Sequence, residues 1–240
     1  TPCLDGKFND SGVGPCKNIG PGMFGTINQT TVASVGATQR VKCPSGTFSN
    51  KGIGPCTGIA LGYFGSSNGR TYASDKATQQ VECPEGSFSS DNTGPCILCP
   101  MGKFNCSKKN TVCSLCEAGT FADAEGKSSC SKIRPGYYGV DINGVYAASG
   151  AVNEKSCEVG TYNADGKLQC KLCPLGQQPQ ASETEGHAFV ALAATACVAC
   201  TAGKYGGSKE ACRQCREPVG ARGEVSFSTN PDYRTKASDC

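Results

Sequence analysis

The chain has 240 residues with 19 cysteines, 32 glycines, 13 prolines and no tryptophan. That composition argues against one large oily core and for small extracellular modules stapled by disulfides. The net charge of +3 is small and scattered, so nothing points to nucleic acid or an anionic membrane. The longest apolar stretch, Ala188 to Ala199, is too short to span a bilayer. The chain begins at Thr1, as expected of a chain whose leader has been removed or of a slice of a longer one.

In chain order, cysteines at 3, 16, 43, 56, 83 and 96 are separated by 13, 27, 13, 27 and 13 residues, a period of 40. The rhythm resumes at 116, 130, 157 and 170, with steps of 14, 27 and 13. Internal repetition of this kind governs the fold. A short module opens with Cys, then Gly three residues on, then an aromatic two further. It occurs seven times: Cys3-Gly6-Phe8, Cys43-Gly46-Phe48, Cys83-Gly86-Phe88, Cys99-Gly102-Phe104, Cys116-Gly119-Phe121, Cys157-Gly160-Tyr162 and Cys200-Gly203-Tyr205. Long modules alternate with these. Three open on Ile19, Ile59 and Ile133, and two on Cys173 and Cys215. Where Ile opens a long module, Arg40, Gln80 or Glu154 stands near its end. Where Cys173 opens it, Cys197 stands in that place.

First and last half-cystines of the long modules therefore come and go together, as a bonded pair would. Sequential pairing predicts Cys3–Cys16, Cys43–Cys56, Cys83–Cys96, Cys99–Cys113, Cys116–Cys130, Cys157–Cys170, Cys173–Cys197, Cys200–Cys212 and Cys215–Cys240. A crossed pairing within a cluster is the alternative. Closing a loop of this length stabilises by about 3 kcal/mol in the chain-entropy account. The modules group into repeats at 1–42, 43–82, 83–115 (two short modules), 116–156, 157–199 and 200–240.

The ends are in register. Cys240 stands where Cys197 stands in its own module, Ala237 matches Ala194, and Thr1 and Pro2 fill the two places before Cys3. The expectation is a segment of a longer array, or a subunit that meets copies of itself head to tail. A chance boundary is the plainer alternative.

Locally, Gly, Ser, Asn, Asp and Thr punctuate the chain every few residues, as in short strands and turns. Ala188 to Ala199 alone has helix-like composition and could form a short turn of helix. Asn68-Gly69, Asn143-Gly144 and Asp165-Gly166 suit tight hairpins, with return strands over Arg70 to Ala73 and Gly144 to Ala147. The short-module glycines suit a positive φ or a close backbone approach. The expected fold is small, disulfide-rich and mainly β: an elongated tandem stack of short β-hairpin modules. Each module should bury its aromatic against a disulfide and its neighbour, with contacts mainly between nearest neighbours.

The stretch Cys83-Pro84-Glu85-Gly86-Ser87-Phe88 through Gly94-Pro95-Cys96-Ile97-Leu98-Cys99-Pro100 resembles the ephrin-receptor-like cysteine-rich repeat. It is also similar to the first-type module of tumour-necrosis-factor-receptor cysteine-rich domains. The likeness covers the short modules and the cysteine-bearing long ones, and the Ile-bearing modules depart from it. It implies an extracellular, disulfide-laddered rod and little about a ligand.

The Cys-x-x-Cys pairs are 96/99, 113/116, 170/173, 197/200 and 212/215; 96/99 with 113/116, and 197/200 with 212/215, match zinc-ribbon spacing. The modules opening at Cys3 and Cys43 keep the same 13-residue step without paired cysteines, which a bridge explains and zinc does not. The expectation is no metal and no cofactor. The one histidine, His187, has no second histidine to work with, and the carboxylates are scattered, so no enzyme is expected. Cys106 is the odd thiol, either unpaired or in an inter-chain bond. Asn9, Asn28 and Asn105 head N-glycosylation sequons, and Ser and Thr in the loops could carry O-linked sugar.

The sequence thus suggests an extracellular structural glycoprotein forming or extending a fibre or surface coat. Its partners would be copies of itself, head to tail, and covalent glycans. The alternative is a receptor or adhesion ectodomain binding a protein ligand, for which Gln177 to Ala188 and Arg216 to Asp232 are the least repetitive surfaces.

Overall fold

A computed structural model describes residues 1–181, 188–207 and 209–214. Among these there is no α-helix. The strands are two to five residues long and pair antiparallel, in ten two-stranded sheets and one three-stranded sheet. Two-residue ladders cannot hold themselves together in water, so the staples and joints around them matter more than the strands. The chain divides into two bodies that interleave in sequence. One comprises Thr1–Pro100, Phe104–Ser114 and Glu125–Ser129. The other comprises Met101–Lys103, Leu115–Ala124 and the chain from Cys130 on.

In the first body, the opening module shows how the motif works. The amide of Lys7 donates to the carbonyl of Leu4 at 3.1 Å, closing a turn with Gly6 in third place. Gly6 has φ +79°, the left-handed value a type II turn demands there. Lys7–Phe8 then pairs with Lys17–Asn18, Phe8 opposite Lys17, and Cys3 is bonded to Cys16 across the loop. The following long module pairs Met23–Ile27 with Gln39–Lys42, and Thr31–Val32 adds a third strand. Joints between modules are made by backbone. The amide of Asn9 donates to Ala37 O at 3.0 Å, that of Gly22 to Ser49 O at 2.7 Å, and that of Ser49 to Ala77 O at 3.0 Å.

The second body repeats these joints with different side chains. Ala122 N donates to Ala151 O at 3.0 Å, Gly136 N to Asn163 O at 2.7 Å, and Asn163 N to Ala194 O at 3.0 Å. Parallel bridges join Phe121 to Ala151 and Tyr162 to Ala194, as Phe8 joins Ala37 in the first body.

The interior is mainly sulfur, isoleucine and alanine, with Phe64, Val140 and Thr26 also buried. Cys43, Cys83, Cys99, Cys116 and Cys157 are fully buried, as are Ile19, Ile59, Ile133, Ala37, Ala77, Ala151 and Ala194. Among the short-module aromatics only Phe8 is buried. Phe48, Phe88, Phe104, Phe121, Tyr162 and Tyr205 are half-buried. Apart from Phe8, which clusters with the buried Ile19 and Ala37, these aromatics flank the interior, and the small Ala is what fits at the bridge between modules.

Two local expectations are corrected. Ala188 to Ala199 forms no helix. Ala196–Ala199 is a strand paired with Gln177–Gln180, and the Cys173–Cys197 bond holds it there against its helical composition. At Asn68-Gly69, Asn143-Gly144 and Asp165-Gly166 only the glycine takes positive φ. Asn68 stays at negative φ and caps the turn with its side chain, Oδ1 accepting from the amides of Arg70 and Thr71, each at 2.9 Å. The return strands expected there are single bridges, Ser66 to Tyr72 and Val140 to Tyr146. The turn with two successive left-handed residues is Asn28-Gln29, with φ of 57° and 66°, at the tip of the three-stranded sheet.

Candidate functional site

No side-chain constellation stands out as a reaction centre among the described residues; what recurs is a joint. At Gly22, Gly46, Gly62, Gly86, Gly102 and Gly136 the motif glycine meets a carbonyl from the module two places further on. A Cβ on Gly22 would lie 2.4 Å from Lys76 O, and one on Gly62 would lie 2.1 Å from Lys109 O. In the second body the corresponding pairs are Gly102 with Gly150 O at 2.3 Å and Gly136 with Ala193 O at 2.1 Å. Lys76, Lys109 and Ala193 themselves hold positive φ. Their amides donate to Cys43 O at 3.1 Å, Cys83 O at 3.1 Å and Cys157 O at 3.0 Å. The modules carrying these glycines are thus clasped by the next neighbour or touched by the one after that.

Inside the long modules two solutions share one backbone. In the Ile-bearing copies the isoleucine lies over a glycine. A Cβ on Gly25, Gly65 or Gly139 would come 2.9, 2.8 or 3.0 Å from the Cδ1 of Ile19, Ile59 or Ile133. The residue opposite that glycine is Arg40, Gln80 or Glu154. Gln80 Oε1 accepts from the amide of Ala60 at 3.0 Å. Glu154 Oε2 accepts from the amide of Arg134 at 3.0 Å, while its Oε1 takes Arg134 Nε at 2.7 Å. Arg40 instead places its guanidinium 5.5 Å from the Phe8 ring centre. In the cysteine-bearing copy Cys173 is bonded to Cys197, and the residue opposite Cys197 is the buried Pro179.

Electrostatics serve the same joints. The Glu82 carboxylate, then the Tyr63 hydroxyl, raise the Lys109 pKa, and Lys109 Nζ sits 2.9 Å from Glu82. The hydrogen bond that Arg134 donates to the Glu154 carboxylate raises the Arg134 pKa. Asp91 is held below the ordinary carboxylate value by the Thr93 amide first, then the Thr93 hydroxyl and the Gly94 amide. The loop it shapes presents Thr93 O, which accepts from Ser45 Oγ at 2.6 Å and from the Tyr72 hydroxyl.

Eight disulfides are present among the described residues: Cys3–Cys16, Cys43–Cys56, Cys83–Cys96, Cys99–Cys113, Cys116–Cys130, Cys157–Cys170, Cys173–Cys197 and Cys200–Cys212. Neighbouring cysteines of each Cys-x-x-Cys pair up to 197/200 belong to different bonds. Residues 86–130, which span three successive short modules from within the first, match the family described as tyrosine-protein kinase ephrin type A/B receptor-like. A human relative, signal peptide, CUB and EGF-like domain-containing protein 2, is 39% identical over 74 residues, which is 30% of this chain and 7% of that protein. The chain is a cysteine-rich repeat protein, similar over residues 86–130 to the ephrin-receptor-like family. Disulfide-dense modules of this type belong to oxidising, extracellular settings. The chain spans only 7% of the length of the human relative.

The remaining predicted positions of this repeat protein are dispersed. Cys106 is exposed and unbonded, its Sγ 3.9 Å from Ser107 Oγ. Asn9 and Asn105 follow the module aromatics, and Asn28 lies at the tip of the long-module sheet. His187, Cys215, Cys240 and Arg216 to Asp232 lie outside the described residues, as do 182–187 within Gln177 to Ala188; Gln177–Gln180 is a strand. The close backbone approach expected at the short-module glycines is present at Gly86 and Gly102, but its partner was not legible because it lies two modules further on.

Proposed function

We propose that this chain is part of an extracellular structural glycoprotein whose tandem modules form or extend a fibre or surface coat. The observation that supports this best is the sameness of the joints. The same backbone bonds link modules in both bodies, whatever the side chains and whether or not the long module is stapled. A joint that depends on backbone lets one module follow another without limit, as in other repeat arrays. The mechanism on this reading is mechanical. A crosslink in every short module resists unfolding and proteolysis, and the chain acts as a spacer or coat and not as a catalyst. Its partners would be copies of itself, head to tail. The six repeats bounded at 43, 83, 116, 157 and 200 are the units we expect to add or lose in a longer array.

Electron microscopy of the native material tests this reading. Filaments or a continuous coat are expected. Separate single chains at all concentrations, together with saturable binding of a second protein, would replace it with the receptor or adhesion reading. Labelling of intact cells with a membrane-impermeant reagent checks the location: surface or medium is expected.

A further inference from the structure

Three sequons stand in the sequence, and the fold separates them. Asn9 and Asn105 occupy the position after the module aromatic, which the fold uses as a loop brace. Asn9 Oδ1 accepts from the amides of Ser11 at 3.1 Å and Gly12 at 3.0 Å, while its Nδ2 donates to Gly14 O at 3.2 Å. Ser11 Oγ, the hydroxyl of that sequon, lies 2.7 Å from Val13 O. Asn105 is only 2% exposed. Its Nδ2 donates to Ser87 O at 2.7 Å, and its Oδ1 accepts from the Ser107 amide at 3.0 Å and from Asn110 Nδ2. Asn163, which heads no sequon, does the same work at the same position. Its Nδ2 donates to Tyr137 O at 2.8 Å and Leu168 O at 2.6 Å, and its Oδ1 accepts from the Gly166 amide at 3.1 Å. The amide nitrogen is therefore part of the module's architecture wherever asparagine stands there. A sugar on that nitrogen would crowd the backbone acceptor that a single remaining N–H must still reach at Asn9 and, at Asn105, push through a buried site.

Asn28 differs in each respect. It is exposed, it sits in the left-handed two-residue turn with Gln29, and its side chain makes no hydrogen bond among the described residues. Asparagine in a left-handed turn needs no side-chain cap to hold its φ. Thr30, the third residue of the sequon, is also exposed and directly follows the turn.

We propose that the folded chain carries its N-linked glycan at Asn28 alone, and that Asn9 and Asn105 are structural amides that stay unmodified. In the transfer the Asn28 Nδ2 loses a proton and forms a bond to the anomeric carbon of a lipid-diphosphate-linked oligosaccharide. The anomeric carbon–oxygen bond to the diphosphate breaks, and the lipid diphosphate leaves. The product keeps one N–H and its carbonyl, and neither is needed by the fold. Transfer onto the unfolded chain at Asn9 or Asn105 would remove a brace before the module closes, so such chains should be lost from the secreted pool. This inference rests on the extracellular reading, since the donor is met on the secretory route.

The full chain, secreted from a eukaryotic host, is treated with peptide-N-glycosidase in heavy-oxygen water and mapped by mass spectrometry. Heavy-oxygen aspartate is expected at position 28 and unlabelled asparagine at 9 and 105. Asn28→Gln should abolish the enzyme-sensitive mobility shift while leaving secretion and the disulfide map unchanged. Asn9→Gln and Asn105→Gln should keep the shift and lower the secreted yield severalfold. A secreted, disulfide-intact chain bare at Asn28, or substantially labelled at Asn9 or Asn105, overturns the proposal and leaves the extracellular reading standing. A chain that reaches the medium only with free thiols overturns both.

Discussion

Two long modules of the second body, opening at Ile133 and at Cys173, solve one problem in two ways. Their strands pair in the same register: Gly139 opposite Glu154 in one, Pro179 opposite Cys197 in the other. In the first, a buried isoleucine crosses a glycine that leaves it room, and a carboxylate reaches back to the Arg134 amide. In the second, a disulfide replaces the isoleucine and the carboxylate, and proline fills the space that glycine left empty. The exchange involves at least three positions together. The backbone joint is therefore the invariant, and the crosslink is one of two ways to pin it.

The largest expected effect comes from attacking what both modules share. Gly136→Ala puts a Cβ 2.1 Å from Ala193 O at a φ of +81°. It should destabilise the second body by roughly 3 kcal/mol or more. Gly144→Ala has nearly the same φ, +78°, but meets nothing within 4 Å. It should cost only about 1 kcal/mol. Chemical denaturation of the pair separates backbone strain from the clash, and equal losses would refute the account of the joint.

Next comes the crosslink. Cys173→Ser with Cys197→Ser should cost about 3 kcal/mol, read as lost amide-exchange protection over Gln177–Gln180. The triple change Cys173→Ile, Pro179→Gly, Cys197→Glu should restore part of that protection, whereas Cys173→Ile with Cys197→Glu alone should not. The converse double variant, Ile133→Cys with Glu154→Cys, should form a new bond that thiol titration and peptide mapping detect.

Smaller again is Glu154→Ala. It strips the Arg134 amide of its acceptor and should cost about 1 kcal/mol, with the Ala147 amide bond to Gly139 O still protected from exchange. The smallest is a pH effect. The Asp91 pKa is depressed in the fold below its ordinary 3.8. Its contribution is complete above that value and fades as pH falls through the depressed one. Exchange protection at Thr93 and Gly94, taken relative to the intrinsic rate at each pH, should therefore fall in acid, and Asp91→Asn should flatten that dependence.

Much of this was legible in the chain. The spacing of Cys3, Cys16 and Cys43 announces modules, and the glycines at 6, 46 and 86 announce left-handed turns. The alternation of Cys173 with Ile133 marks the two long-module designs. The role of Ala37 and Ala77 was not legible, because the parallel bridge to the module aromatic that demands a small side chain joins separate modules. Nor was the brace at Asn9, Asn105 and Asn163, since nothing in a sequon distinguishes an amide that holds a loop from one that faces water. Ala188 to Ala199 misleads because composition reports helix preference, while a bond at Cys197 imposes the strand.

The isoleucine modules also bear on how such a chain matures. Every additional pair of thiols multiplies the wrong partners a nascent chain can find before shuffling enzymes sort them. Placing Ile19, Ile59 and Ile133 where half-cystines would otherwise stand keeps the same joints with fewer reactive sulfurs in play. It spaces the oxidisable sites of the first two repeats well apart, so that each closes on its nearest mate.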